Sequence, residues 1–204
     1  MLEDLSFIRG EINNDLMEGV RESIENSLLN GSGIGSQING LMSIPMALPT
    51  FGAGVFSLAI QDISDLLRCV KAQIEAVNFT PTHVILNPQD IATIQLTKAS
   101  DGAYTYPMYL PTQSGDGEMI IAGMRVISST YMTAGKYLVG DLRKVIVKFR
   151  NNINMTVGLD ADDFTRNMIT ILAEARLVSY VKNNQKPAFV TGDISDDIDL
   201  ILLP

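Results

Sequence analysis

Asn167 and Glu174, a carboxamide and a carboxylate seven residues apart, have the widest chemical scope of any pair in this 204-residue chain. They straddle a turn-to-strand transition, and Glu174 shares one strand face with Leu172, Arg176 and Val178. An enzyme built on Glu174 as acid or base would need a pocket converging on it with further polar groups. Taken on residue types alone, the favoured role is structural: an ion pair with a Lys or Arg across the strands, or with Arg176 itself.

The other candidates are weaker. His83, the sole histidine, stands at a strand start between Thr82 and Val84, and a metal or triad role would need partners the chain does not offer. Asp160, Asp162 and Asp163 lack the loop spacing and distal Glu of a calcium hand, so they read as a solvated turn. Asp193, Asp196, Asp197 and Asp199 read the same way. There is no G-x-S-x-G elbow and no P-loop. Asn30-Gly31-Ser32-Gly33-Ile34-Gly35 comes nearest to a dinucleotide fingerprint, but it follows a helix and Ser36 fills the sixth place. It reads as a helix stop and a mobile glycine loop. No metal and no cofactor is expected.

Composition narrows the class. Hydrophobic residues make up 46%, enough for a real core, and the net charge is -8. That charge argues against a dedicated nucleic-acid-binding domain, which neutralises phosphate with a basic patch. Cys69 is the only cysteine, so no internal disulfide is possible. No apolar run approaches the roughly 20 residues of a membrane-spanning helix, and the start of the chain lacks the pattern of a signal peptide. The expected product is soluble and intracellular when made.

Several elements must hold these residues. A helix is expected over 2–29, with apolar residues at Leu5, Ile8, Ile12, Leu16, Val20, Ile24 and Leu28. A spacing of four overshoots the 3.6-residue turn, so this stripe drifts around the helix and suits different partners along its length. Pro45, Pro49, Gly52 and Gly54 mark a linker over 43–54. Phe56, Ile60, Ile63, Leu67, Val70, Ile74 and Val77 predict a helix packed on a sheet, with Cys69 structural beside the seam. His83 to Leu86 is a short strand, and Asn87-Pro88 starts a helix reaching about Lys98. Residues 103–118 read as irregular loop. Strands follow near 119–128, 137–140, 144–150 and 152–159. Residues 168–182 alternate again, with Ile169, Ile171, Ala173, Ala175 and Leu177 on one face. Ala188-Phe189-Val190 closes the ordered part, and 193–204 is left as an acidic, then apolar, tail. Helices first and antiparallel strands last favour α+β.

Seven segments, in order, resemble the major capsid protein family of tailed bacteriophages, the Hong Kong 97 type. Ile12 to Met17 resembles the start of its spine helix. Leu28 to Gly33 with Asn39-Gly40-Leu41 resembles its glycine loop. Val84-Ile85-Leu86-Asn87-Pro88-Gln89-Asp90 resembles its axial strand and helix start, and Lys98 to Tyr104 its following turn. Gly123 to Val126 and Gly135 to Asp141 resemble its G-x-x-V and V-G-D strands, and Asp162 to Leu177 its C-terminal string.

The resemblance implies a wedge-shaped α+β protein. Residues 1–45 and 149–192 would be peripheral, 46–148 axial and 193–204 a C-terminal tail. It implies a structural head protein rather than an enzyme, forming hexamers and pentamers of an icosahedral shell around double-stranded DNA. Partners would be copies of itself, with scaffold, protease and portal proteins, DNA packaged without specific binding, and no membrane. The shell would be assembled in the bacterial cytoplasm and found in the virion. Asn30, Gly31, Gly33 and Gly35 would serve in assembly as the glycine loop. Some relatives crosslink their shells through a Lys–Asn isopeptide bond, and Asn167 matches the acceptor and Glu174 the catalytic acid. The N-terminal arm and extended loop of the family, which carries the Lys, are missing from this sequence, so a fragment is expected. An encapsulin-like compartment shell shares the fold and is the alternative.

Overall fold

Leu66, Leu67 and Val70 are wholly excluded from solvent, and they show where the chain builds its core. The computed structural model describes residues 4–44, 62–98, 119–166 and 168–202. The linker residues 45–54, the first turns of the helix expected from residue 55, the loop at 103–118 and Asn167 lie outside them.

In chain order the helices are α1 (Asp4–Asn30), α2 (Ile63–Ala76), α3 (Pro88–Leu96), α4 (Asp163–Arg166) and α5 (Ile194–Leu202). The strands are β1 (His83–Leu86), β2 (Ile120–Ile121), β3 (Met124–Ser128), β4 (Lys136–Gly140), β5 (Ile146–Gly158), β6 (Thr170–Tyr180) and β7 (Phe189–Asp193). They fall into two compact units. One joins Met1–Ser43 to Ile146–Tyr180, and the other joins Ile44–Val145 to Val181–Pro204.

The second unit is a mixed five-stranded sheet in the order β2-β3-β1-β4-β7, with β1 parallel to β3 and antiparallel to β4. Helix α2 lays Leu66, Leu67, Val70 and Ile74 into a core shared with Val84, Leu86, Met124, Tyr137 and Val139. Burying a leucine of this kind contributes about 1.5–3 kcal/mol. Asn87 caps α3 as expected: its side chain accepts from the Gln89 N–H at 2.9 Å, with Pro88 in the first turn. Its amide also donates to the Met132 carbonyl at 2.7 Å. Ala122 and Gly123, both at positive φ, form the two-residue turn between β2 and β3.

Two expectations fail at the end of the chain. Strand β7 pairs with β4 in the second unit's sheet, so 181–192 do not belong with 1–45. The segment expected as a separate tail folds onto its own unit, because Ile194–Leu202 form α5, with Ile194 buried and Ile198 packed on the core. The acidic residues there disguise the helix: Asp196 and Asp197 fill its first turn, where carboxylates favour the helix dipole.

In the first unit, α1 runs from exposed Ile8 and Ile12 through half-buried Leu16, Val20 and Ile24 to buried Leu29, so its apolar stripe is uncovered over Ile8 and Ile12 and partly covered from Leu16 onward. The glycine loop that ends it is tied rather than mobile. The Gly31 N–H reaches the Ser27 carbonyl (2.9 Å), Gly33 reaches Ile38 (3.1 Å) and Gly40 reaches Gly31 (2.8 Å). The Ser43 hydroxyl also donates to the Gly31 carbonyl, at 2.8 Å. Glycine is required at 31 because a Cβ there would collide with the Ile38 carbonyl oxygen.

Strands β5 and β6 form a long antiparallel ribbon. The two strands expected at 144–150 and 152–159 are one strand, with register shifts between Phe149 and Asn154 that absorb the interruption expected at Asn151. Along β6, Ile171, Ala173, Ala175 and Leu177 are half-buried while Leu172, Glu174, Arg176 and Val178 are exposed. Ile169, expected on the covered face, lies before the strand and is exposed. Helix α1 packs on the ribbon, with Met17, Ile24, Phe149 and Ile153 along a shared cleft.

Candidate functional site

Glu174 sits mid-ribbon opposite Asn154, and Arg176 opposite Asn151. No ion pair joins Glu174 to any cation among the described residues, so the expected cross-strand pair is not formed. The antiparallel register is the reason: it sets asparagines, not Lys or Arg, across from both side chains. Glu174 instead lies exposed on a face it shares with Leu172 and Val178, 55% and 52% accessible. Leu172 and Val178 bracket Glu174 and Arg176 on this uncovered sheet face, and exposed apolar surface of this kind gains by being covered. Neither the cleft between α1 and β5 nor the one at the ribbon tip includes Glu174. Asn167 lies outside the described residues.

At the ribbon tip the three acids hold the turn together. The Asp163 carboxylate accepts from the Asp160 N–H at 3.0 Å and from the Thr170 hydroxyl at 2.5 Å. The Thr170 bond, then the Asp160 N–H, hold the Asp163 carboxyl below the usual carboxylate range. Arg166 approaches Asp162 at 3.7 Å. No group of metal-binding side chains occurs among the described residues. Leu159, Phe164, Met168 and Ile169 line the tip's outer surface.

In the second unit His83 bonds the Thr82 hydroxyl through Nδ1 at 2.7 Å, a local structural contact. Asp141 is almost fully buried and grips Arg143 in a fork of 2.8 and 3.2 Å. That side-chain bond lowers the Asp141 pKa against the cost of burial. Tyr137, fully buried, donates to Asp197 of α5 at 2.7 Å. Burial is the main cause that raises both the Tyr137 and Asp197 pKa values. The sequence reading missed this clasp, yet Lys136-Tyr137-Leu138-Val139-Gly140 carried the signal: a tyrosine in a buried strand needs a partner for its hydroxyl.

Of the glycine-loop residues, Gly31 makes the tight approach, Gly33 and Gly35 adopt positive φ, and Asn30 bonds Asn26 at 3.0 Å. The loop thus presents Ile34, 78% exposed, at a fixed position.

Residues 1–193 match the model of the phage capsid family. The chain belongs to that family. The major capsid protein of Enterobacteria phage HK97 is 28% identical over 198 residues, 96% of this chain. The chain spans about half the length of that curated relative (49%). Among solved structures, the capsid of an empty GTA particle superposes with a TM-score of 0.67 at 13% identity, over 89% of this chain and 64% of that one. An encapsulin complex from Synechococcus elongatus follows at 0.60 and 17%, over 92% and 65%. The Gordonia phage Cozz structure gives 0.59 and 17%, over 90% and 63%. Phage capsid and encapsulin structures therefore share the Hong Kong 97-type α+β fold expected from the resemblance.

Proposed function

We propose that this chain is the shell-forming part of a major capsid protein of a tailed phage or prophage, packing with copies of itself in hexamers and pentamers. The match over residues 1–193 carries the reading. The uncovered ribbon supports it: a two-stranded sheet is marginal alone in water, and its outer face exposes Leu172, Val178 and Tyr180. Covering that face with a neighbour would repeat, between chains, the burial that stabilises the second unit within one chain. In this reading the unit holding α1 and the ribbon is peripheral, and the sheet unit is axial. Scaffold, protease and portal proteins are its partners in assembly in the host cytoplasm, and the DNA is enclosed without specific binding, consistent with a net charge of -8.

The same reading assigns Asn167 as crosslink acceptor and Glu174 as its acid–base group. A Lys amine from a neighbour would attack the carboxamide carbon; Glu174 would take the amine's proton and return it to the leaving nitrogen, which departs as ammonia as the isopeptide bond forms. Shells whose subunits all separate in boiling detergent would exclude the reaction.

The test of the main reading is electron microscopy of the protein expressed at the full length of its reading frame. Closed icosahedral particles are expected, and soluble monomers under all conditions would overturn it. Particles that carry an enzyme cargo and no DNA would favour the encapsulin-type shell, to which the fold is similar at a TM-score of 0.60.

A further inference from the structure

The net charge of -8 is unevenly spread along the chain. Helix α1 alone carries six acids against two arginines. Residues 142–150 and 175–192 are the opposite: they hold seven of the 15 Lys and Arg residues and no Asp or Glu. Four of the seven, Arg143, Lys144, Lys182 and Lys186, belong to the sheet unit. They ride on two short 3-10 helices, Leu142–Lys144 and Asn183–Ala188, and on the residue that starts the second. The backbone brings these helices to one corner. Gly140 pairs with Phe189 across β4 and β7, and the Asp141 N–H donates to the Ala188 carbonyl at 3.2 Å.

The nearby carboxylate, Asp141, is buried and already forked to Arg143. That fork uses two of the five guanidinium N–H groups and leaves three, on a side chain 69% exposed. No anion lies within ion-pair distance of Lys144, Lys182 or Lys186 among the described residues. Asn183 and Asn184 stand exposed between the lysines. No large apolar side chain is exposed over the described residues 141–145 and 181–188. A protein partner is usually held by an apolar, aromatic centre, which this corner lacks. Lys, Arg and Asn without acids are the side chains that contact phosphate. Charges beyond about 8–10 Å are largely screened at physiological salt, so the local excess, not the net charge, decides what is attracted here.

We propose that this corner contacts the phosphate backbone of double-stranded DNA. Lys144, Lys182 and Lys186 neutralise phosphates, while Arg143 and the two asparagines donate to phosphate oxygens. Phosphates are alike in every sequence, so the contact is weak and sequence-independent. Resting on the shell reading above, this contact is where enclosed DNA meets the protein.

The test is fluorescence anisotropy of a labelled short duplex of arbitrary sequence, titrated with the unassembled protein at the full length of its reading frame. Affinity is expected to fall about fortyfold between roughly 50 and 200 mM salt, the slope of about three neutralised phosphates. Replacing Lys144, Lys182 and Lys186 together by Gln is expected to remove most of that slope and to cost at least about tenfold in affinity at the lower salt. Lys182→Gln alone, at an exposed position where folding is not at stake, should lower the slope by about one. Lys148→Gln with Arg150→Gln and Arg176→Gln, on the ribbon, removes the same charge and should leave binding within about threefold. No binding by the wild type at low salt, or equal losses in the corner and ribbon variants, would overturn the proposal and leave the shell reading intact. Tighter binding of polyglutamate than of the duplex would assign the corner to an acidic protein segment and overturn it as well. DNA binding lost with the corner lysines, in a protein that never forms particles, would uphold the contact and overturn the shell reading alone.

Discussion

The two units of this chain solve the problem of apolar surface in opposite ways. The sheet unit folds its apolar side chains inward: α2 and α5 cover the sheet, and even the polar Tyr137 finds a partner in Asp197. The ribbon unit leaves Leu172, Val178, Phe164 and, on α1, Ile8 and Ile12 in contact with water. A sequence that spends its hydrophobic residues on an open ribbon is built for a partner. On the proposed shell reading, the first unit would draw stability from neighbouring copies, and the second unit from its own core.

Substitutions can break or sharpen that contrast. The largest effect should come from the covered core. Leu67→Ala in the unassembled chain should cost about 2–5 kcal/mol in a urea melt, from lost transfer energy and the cavity left behind. A smaller loss would mean that the core is looser than its burial implies.

Tyr137→Phe comes next. It leaves Asp197 without its donor in a partly buried place and should cost about 1–3 kcal/mol. Gly192→Ala should act at the same place, since a Cβ would collide with the Asp197 carboxylate. The clasp also predicts a pH dependence. The Asp197 pKa is raised in the folded chain, so its contribution is most favourable below the unfolded value of about 3.9 and is lost as pH rises through the folded value. Asp141 is lowered, so its contribution is present above about 3.9 and is lost as pH falls through its folded value. Stability curves of Asp197→Asn and Asp141→Asn should therefore depart from wild type in opposite senses through mild acid. Departures in the same direction would contradict the assignment.

Asn87→Ala should cost about 1 kcal/mol through the lost cap of α3, with some addition from the lost bond to Met132. The smallest effect in the unassembled chain belongs to Leu172→Ser, within about 0.5 kcal/mol of wild type, because that side chain is already wet. The same change should lower shell yield, which electron microscopy reads directly. A variant that destabilises the free chain but assembles normally would invert the comparison.

How much of this was legible beforehand follows from where each signal lives. Asn87-Pro88 announced α3 because capping is a local property, and the β6 alternation was readable because one face is covered and the other is not. The continuity of β5 was hidden at Asn151, since a bulge looks like a break when the partner strand is unseen. Helix α5 was hidden because its acids suggested a solvated tail, and only packing on α2 shows otherwise. The ion pair expected of Glu174 failed because cross-strand register decides such pairs, and register is not written in either strand alone. The glycine loop was recognised by composition, but the close approach of Gly31 to Ile38 belongs to the folded loop.

The most direct test of the contrast is hydrogen exchange on the same protein, unassembled and in closed shells. The account predicts that amides of β5 and β6 exchange readily in the free chain and become protected on assembly. Those of α2, β1 and β4 should be protected equally in both. Ribbon amides already as slow in the free chain as in the shell would contradict it, because the first unit would then be stable without its neighbours.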